Sequence, residues 1–548
     1  MPTYYASLAC ALVLGGLHAL AFAPEPFPAW ALPFLQLLTF AGLSVLVWRG
    51  RTVKQSTLIG AAFGMGHFGI GISWIFTSLH DYGHMVAPLA AGGVLALAIY
   101  LSIYPAIAAG LSRWFASQWL DPVTGRPRAG SSRLAPVLCA LGMATAWTAM
   151  EWIRGVLFTG FPWLNVGYAH VDGPLHGWAP LIGVYGVAFV ATLTGAGIAA
   201  AALFLRPVER GATASRTGPV LSVAIAGLAL VVGSGAALLT WVQPHGAPIS
   251  VRLVQANIPL DDKFDPAFIW QGMDAHRDLA EQPTADGKPM DMILMPETAV
   301  PVFQDQLVPD AWQEWVDSAR DTASTFVLGV PVRDVKPDRE YYYNSVVTLD
   351  ANTKTDDLIL GRPEHRYSKY HLVPFGEYVP PGFKWFVNAM IMPLGDFDRG
   401  APRQKPFPIA GQHIAINICY EDVFGEELLP SIRPTADESG ATILANVSNL
   451  AWFGNSLALP QHLQMSRMRV RETGRPMLRA TNTGMTAIID AQAHIQGQLP
   501  PLTVGILDGK VQGTAGLTPY TRTGNTPILV IVFGLLALFC WRRRQAGA

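Results

Sequence analysis

Seven apolar segments of membrane-crossing length run through the first 241 residues, and an eighth follows a long polar interval near the end of the chain. A hydrocarbon core about 30 Å thick takes roughly 20 apolar residues to cross as a helix. The segments lie at 4–23, 29–48, 56–78, 86–112, 134–157, 179–205, 218–241 and 526–541. Inside lipid the backbone has no water to bond, so each is expected to be helical. The first two flank a Pro-rich turn at 23–28 and read as a hairpin. The first lacks the basic flank of a cleaved signal peptide and leads straight into the second, so it reads as a retained span. The last is short, with Trp541 and Arg542, Arg543 and Arg544 as an interfacial anchor.

Lys and Arg placement orients these spans. Arg49, Arg51 and Lys54 follow the second, Arg113, Arg126, Arg128 and Arg133 the fourth, and Arg206, Arg210 and Arg216 the sixth. The alternate loops 23–28, 78–85 and 159–178 contain no Lys or Arg. The positive-inside rule then makes both termini cytoplasmic and the polar stretch 245–520 extracytoplasmic. Three regions are expected: a seven-span membrane domain over 1–244, a soluble domain over 245–520, and a final span with its basic tail over 521–548. Of the 548 residues, 51% are hydrophobic and only 14% charged, against about 25% charged in ordinary soluble domains. A net charge of −1 gives no reason to expect a nucleic-acid partner.

From Ser250 the pattern changes to short β-rich runs alternating with amphipathic ones. Strands are expected at 250–255, 291–295, 325–330, 345–349, 413–418, 441–445, 477–480 and 485–489, and helices at 268–280, 311–322, 421–429 and 459–473. Such alternation predicts an α/β sandwich with reactive residues at strand ends. The stretch 380–397, which contains Trp385, is rich in aromatics and Met. It reads either as a buried helix or as a loop that dips into the bilayer.

Cys419 is the only cysteine outside an apolar segment; Cys10, Cys139 and Cys540 lie within them. On the extracytoplasmic side it would be an unpaired thiol in an oxidising compartment, which calls for a reason. Two other segments end in residues suited to acyl chemistry. Glu297 follows the apolar run 291–296, and Lys369 precedes Glu377 in Lys-Tyr-His-Leu-Val-Pro-Phe-Gly-Glu. A carboxylate at a strand end suits a general base, and an ammonium favours thiolate and stabilises an oxyanion. The thiolate would attack an acyl carbon and form a thioester. Alone, the cysteine reads as inert core and the glutamate as a surface turn or cap. The order and flanks of all three segments together favour the chemical reading.

Pro-Glu297, Lys369 in its His-Leu-Val-Pro-Phe-Gly-Glu run, and Cys419-Tyr-Glu resemble the Glu–Lys–Cys triad of the nitrilase superfamily. Further stretches narrow the resemblance to the apolipoprotein N-acyltransferases: Val-Gln-Ala-Asn-Ile-Pro259, Tyr-Asn344-Ser, Ala-Trp452-Phe-Gly, the run from Gln461 to Arg469, Gly-Leu-Thr-Pro-Tyr from Gly516, Glu151-Trp-Ile-Arg154, and Thr-Gly-Phe-Pro-Trp163. The resemblance implies an eight-span membrane domain carrying a nitrilase-like αββα sandwich. It implies a bacterial inner-membrane enzyme, expected as a monomer, with its catalytic domain in the periplasm. The acyl donor would be a phospholipid, usually phosphatidylethanolamine, and the acceptors diacylglyceryl apolipoproteins. Glu297 would be the general base, Lys369 the oxyanion stabiliser and Cys419 the nucleophile, supported by Glu377, Tyr420 and Glu421. Phe264, Asn344, Trp385, Trp452 and Arg154 would bind substrate. No cofactor or metal is expected; His80, Asp81 and His84 lack partners for a metal site.

Two departures from the family pattern stand out. Lys263 is followed by Phe264 where relatives often carry tryptophan, which keeps an aromatic wall without an indole N–H. The common Asn-Asp-Ala-Trp run reads Asn449-Leu450-Ala451-Trp452, so no carboxylate at 450 is essential here. Glu151 and Arg154 have two readings: an i,i+3 pair with Arg154 snorkelling to the interface, or a site for a lipid phosphate. A membrane-tethered amidase acting on a small amide shares the triad but needs no lipid-facing mouth. A transporter with a sensing outer domain would have no use for it.

Overall fold

The structure is a computed structural model describing residues 2–22, 27–121, 125, 127–128, 131–205, 216–380, 382 and 396–547. The chain forms two compact units. One comprises Met1–Phe76, Pro88–Leu239 and Thr523–Ala548; the other comprises Thr77–Ala87 and Thr240–Arg522.

The first unit is helical. Helices Pro2–Ala19, Leu32–Arg49, Val53–Gly71, Ala87–Ala116, Ala135–Val156, Ala179–Phe204, Thr217–Ala236 and Thr526–Gly547 occupy the eight apolar segments. Among the described residues, six helices are long and apolar enough to cross a membrane. A seventh span results if Val53–Gly71 and Ile75–Tyr82, bent by 60° at their junction, count as one. The bend follows Ile72, which leaves helical geometry at φ −115° and ψ 16°. Helix Ala135–Val156 is not in that group, because Thr145, Thr148, Glu151 and Arg154 dilute its apolarity. All four are buried, since the helix packs between Ala179–Phe204 and Thr526–Gly547. Glu151 and Arg154 find protein partners there, in each other and in the backbone of the following loop.

The second unit is a four-layer αββα sandwich built on two six-stranded sheets. One sheet runs, edge to edge, Gly505–Val511, Ile249–Gln255, Met292–Leu294, Thr325–Val335, Glu340–Leu349 and Arg366–Ser368. The other runs Ile495–Gln498, Ala487–Ile489, Met477–Thr481, Ile443–Ser448, Gln412–Ile418 and Phe407–Ile409. The central pairs are parallel and the outer ones antiparallel.

Period-two alternation decides which side chains meet. Val251, Leu253, Met292 and Leu294 of the first sheet face Ile414, Ile416, Ile418, Ile443 and Ala445 of the second. The outer face of the first sheet takes helices Ile269–Ala280 and Pro309–Asp321 through Met273, Trp312, Trp315 and Val316. Leu428, Leu429, Leu463 and Val470, from Gly425–Ile432 and Ala458–Thr473, cover the second sheet. Pro309 starts its helix where no N–H partner is needed. Ala458–Thr473 ends on Gly474 at φ +66°, a left-handed cap that suits glycine.

The single helix expected over 421–429 is instead two. A 3-10 turn, Cys419–Val423, is separated from Gly425–Ile432 by Phe424 at φ −100° and ψ 81°. The turn forms because Glu421 folds back on the strand end, accepting from the Ile418 N–H at 2.7 Å. The strand expected at 441–445 runs over Ile443–Ser448. Trp385 and most of the aromatic stretch 380–397 lie outside the described residues.

Candidate active site

Glu297, Lys369 and Cys419 enter from three places in the sandwich. Glu297 lies just past Met292–Leu294, Lys369 directly after Arg366–Ser368, and Cys419 directly after Gln412–Ile418. All three sit within one electrostatic cluster.

Glu297 is 8% exposed, and both its oxygens are engaged. Asn344 Nδ2 donates to Oε1 at 2.7 Å, and the Asn449 main-chain N–H donates to Oε2 at 2.9 Å. Strand Thr325–Val335 passes so close that a Cβ on Gly329 would lie 2.8 Å from Glu297 Cα and 2.4 Å from Thr298 N. Only glycine leaves room there. Thr298 itself takes φ +51°, which turns the chain sharply behind the carboxylate.

Lys369 is 1% exposed. Its ammonium lies 2.9 and 2.8 Å from Glu377 Oε1 and Oε2, and 3.7 Å from Glu297 Oε1. Asn344 Nδ2 also reaches Glu377 Oε1 at 2.8 Å, so one amide bridges the two carboxylates. Burial works against the ammonium, yet Glu377 and Glu297 outweigh it and hold Lys369 above the usual lysine range. Lys369 is therefore a fixed cation at any working pH.

Cys419 adopts φ +52°, a left-handed conformation that costs a residue with a Cβ about 1–2 kcal/mol. Its carbonyl is held on both sides, by Asn446 Nδ2 at 3.1 Å and His462 Nε2 at 3.2 Å. His462 Nδ1 accepts from Arg479 Nη2 at 2.7 Å, which leaves the ring hydrogen on Nε2, between Asp422 Oδ1 at 2.7 Å and the Cys419 carbonyl at 3.2 Å. Asp422, Ser466 and Arg479 complete a fully buried polar cluster behind the turn. Burial, reinforced by Glu297, pushes the Cys419 thiol up, and Lys369 only partly opposes this. The net push favours the protonated thiol, the form from which the expected general base would take a proton.

Glu421 ties the lysine loop to the cysteine turn. Its Oε1 accepts from the Tyr370 and His371 N–H groups at 2.6 and 3.0 Å, and its Oε2 from Ile418 N–H and Tyr367 Oη at 2.7 and 2.9 Å. Burial raises its carboxyl to about 7 despite Lys369 and these donors. Tyr420, next to Cys419, packs edge-on to Phe424 and His371, whose Nδ1 lies 3.0 Å from Glu427.

The other residues read as substrate-binding occupy varied places. Asn344 is interior to the carboxylate pair. Phe264 and Trp452 are half-buried. The Trp452 carbonyl accepts from Ser78 Oγ at 2.7 Å, and its ring meets Tyr82 edge-on at 6.3 Å, so loop 77–87 belongs with this unit. Arg154 lies in the helical unit, 3% exposed. Its guanidinium donates to the Phe161 and Trp163 carbonyls at 2.5 and 2.7 Å and lies 3.7 Å from Glu151. The expected snorkelling is thus replaced by a buried pair that ties down the loop after its helix. Sequence reasoning passed over Asn446, His462, Asp422, Arg479 and the Asn449 N–H. Asn417 and Asn446 interrupting otherwise apolar strands were the one available signal.

A two-sheet sandwich with a cysteine on a tight strand-end turn, beside a lysine and two carboxylates, defines a carbon–nitrogen-hydrolase-type domain, here joined to a bundle of apolar helices. Family comparison agrees: the Carbon-nitrogen hydrolase family matches residues 250–520, and the Apolipoprotein N-acyltransferase N-terminal domain matches residues 14–197. The chain is 46% identical to an apolipoprotein N-acyltransferase of Bordetella bronchiseptica, over 97% of this chain and 96% of that protein. It is 44% identical to one from Ralstonia nicotianae (98% and 94% covered) and 38% identical to one from Nitrosomonas europaea (98% and 99% covered). The chain belongs to the apolipoprotein N-acyltransferase family. It is a multi-pass membrane acyltransferase whose substrates are lipoproteins.

Proposed function

We propose that this protein moves an acyl chain from a phospholipid to Cys419, and from Cys419 to the N-terminal amine of an S-diacylglyceryl-cysteine apolipoprotein, the last step of lipoprotein maturation. The observation that carries this reading is a half-buried thiol pushed toward its protonated form, clustered with a carboxylate held by neutral donors and a lysine held above the usual lysine range.

In the first half-reaction Glu297 takes the thiol proton as sulfur attacks the ester carbonyl carbon. Lys369, with the Tyr420 N–H, meets the developing oxyanion. Collapse breaks the ester C–O bond, Glu297 returns its proton to the departing glycerol oxygen, and a lysophospholipid leaves. In the second, the neutral α-amine attacks the thioester, Glu297 accepts an N–H proton, and the expelled thiolate recovers it. An α-amino group has a pKa near 8, so a useful fraction is neutral at physiological pH. Glu377 keeps Lys369 aimed, and Glu421 fixes the distance between the lysine loop and the cysteine turn.

The setting follows from the spans. The six long apolar helices, the bent pair and Ala135–Val156 together make eight crossings of the inner membrane, with both termini cytoplasmic. The bond from Ser78 to Trp452 supports this, because it puts the loop after the third crossing on the same side as the domain after the seventh. The Lys- and Arg-rich loops then face the cytoplasm, and the sandwich faces the periplasm. The protein acts as a monomer, with phosphatidylethanolamine as its donor.

The test uses purified full-length protein and labelled phosphatidylethanolamine. A hydroxylamine-sensitive acyl adduct present in the intact protein and absent in Cys419→Ala supports the reading. No adduct, with ammonia released from a small amide, would favour a membrane-tethered amidase instead.

A further inference from the structure

Lys263 is a buried cation beside Glu297 to which the acyl-transfer scheme gives no task. It ends the short helix Leu260–Lys263 and is 3% exposed. Its ammonium donates to the Glu297 main-chain carbonyl at 3.1 Å. Among the described residues no carboxylate lies within 4 Å of it, so it is no partner in a direct ion pair. It is electrostatically coupled to Glu297 and His276. Burial, then Lys263 itself, pushes His276 down to about 3, and its Nδ1 is engaged with the Gly272 carbonyl at 2.7 Å. That ring is neutral and contributes no charge.

The charges around Glu297 do not balance without Lys263. Lys369 is one cation against two carboxylates within 4 Å, Glu377 and Glu297, and the buried Glu421, raised to about 7, adds a third charge near Lys369 once it ionises. Cys419 is neutral, and Asp422 is matched by Arg479. An uncompensated carboxylate in a buried site takes up a proton, and a protonated Glu297 cannot act as a base. Lys263 supplies the second cation, and it does so through the Glu297 backbone, where it cannot compete for the carboxylate oxygens that must face the thiol.

We propose that Lys263 is an electrostatic positioning residue of the acyl-transfer reaction, holding Glu297 ionised beside the protonated Cys419 thiol. Burial draws Lys263 down to about 8 while Glu297 opposes the shift, so the lysine remains charged at and below neutral pH, where Glu297 most needs it. The inference rests on the assignment of Glu297 as the base for Cys419.

The experiment separates charge from hydrogen bonding. Single-turnover formation of the Cys419 adduct from phosphatidylethanolamine is followed by intact mass between pH 5 and 9, for full-length wild type, Lys263→Gln and Lys263→Met. Glutamine keeps a donor for the Glu297 carbonyl but no charge; methionine keeps neither. The midpoint of the rising limb moves up by about one pH unit in both variants, and their rates recover at alkaline pH. Wild-type behaviour of Lys263→Gln, or a loss that persists at every pH, overturns the proposal; a melting curve for each variant reports folding. An adduct that survives in Cys419→Ala would instead overturn the assignment of the nucleophile.

Discussion

Lys369 lies closer to Glu377 than to Glu297: 2.8 Å from the one and 3.7 Å from the other. On the proposed mechanism the two carboxylates have separate tasks, Glu377 as counterion and Glu297 as base. In Glu377→Gln the ammonium loses its nearer partner and is drawn to Glu297, which weakens the base. Adduct formation falls about 10²-fold, the scale of a misplaced oxyanion group. A single-turnover rate within a few-fold of wild type would show that Glu377 is not what keeps the two apart.

Asn344, expected to bind substrate, donates one nitrogen to both carboxylates, so on the proposed mechanism its removal acts on the chemical step. Hydrogen bonds to charged groups contribute about 1.5–3 kcal/mol, so Asn344→Ala slows the chemical step by about 10- to 100-fold. Asn344→Asp, which adds a third carboxylate, is slower still. Titration with donor lipid decides the matter, since a substrate-binding asparagine would raise KM and leave the maximal rate in place.

Gly329 gives Glu297 its room. In Gly329→Ala the new Cβ meets Thr298 N at 2.4 Å, and backbone must move. Overpacking of this kind costs about 1–3 kcal/mol, read as a lower Tm. A displacement near 1 Å at the base costs about 10² in rate, so activity falls further than stability. Full activity in a protein with lowered Tm would contradict this.

Glu421 gives stability a pH dependence of its own. Its carboxyl stands at about 7 in the fold against an ordinary 4.5, so the folded state holds an extra proton between those values. The stabilisation from that proton is complete below about 4.5 and is lost as pH rises through about 7. Glu421→Gln removes this dependence, so the fall in Tm from pH 5 to pH 8 is smaller than in wild type. The variant is also less stable at both pH values, because an amide nitrogen then faces the Ile418 N–H or the Tyr370 and His371 N–H pair. Parallel Tm curves for the two proteins would rule out Glu421 as the titrating group.

Eight apolar segments, the alternation of strands and helices after residue 250, and the order Glu297, Lys369, Cys419 were all legible in the sequence, because hydrophobic periodicity and local motifs are one-dimensional signals. They were enough to fix the class of fold and the family. The sequence could not say that Val53–Gly71 breaks before Ile75, that Glu421 splits one helix into a turn and a helix, or that Arg154 turns inward. Two of those outcomes depend on partners outside the helix or strand concerned: the Trp163 carbonyl in the following loop for Arg154, and Tyr367 and Tyr370, distant in sequence, for Glu421. Tertiary structure alone decided the upward push on the Cys419 thiol and the closer approach of Glu377 than Glu297 to Lys369, because burial and distances of a few ångströms set electrostatic energies that residue order does not record.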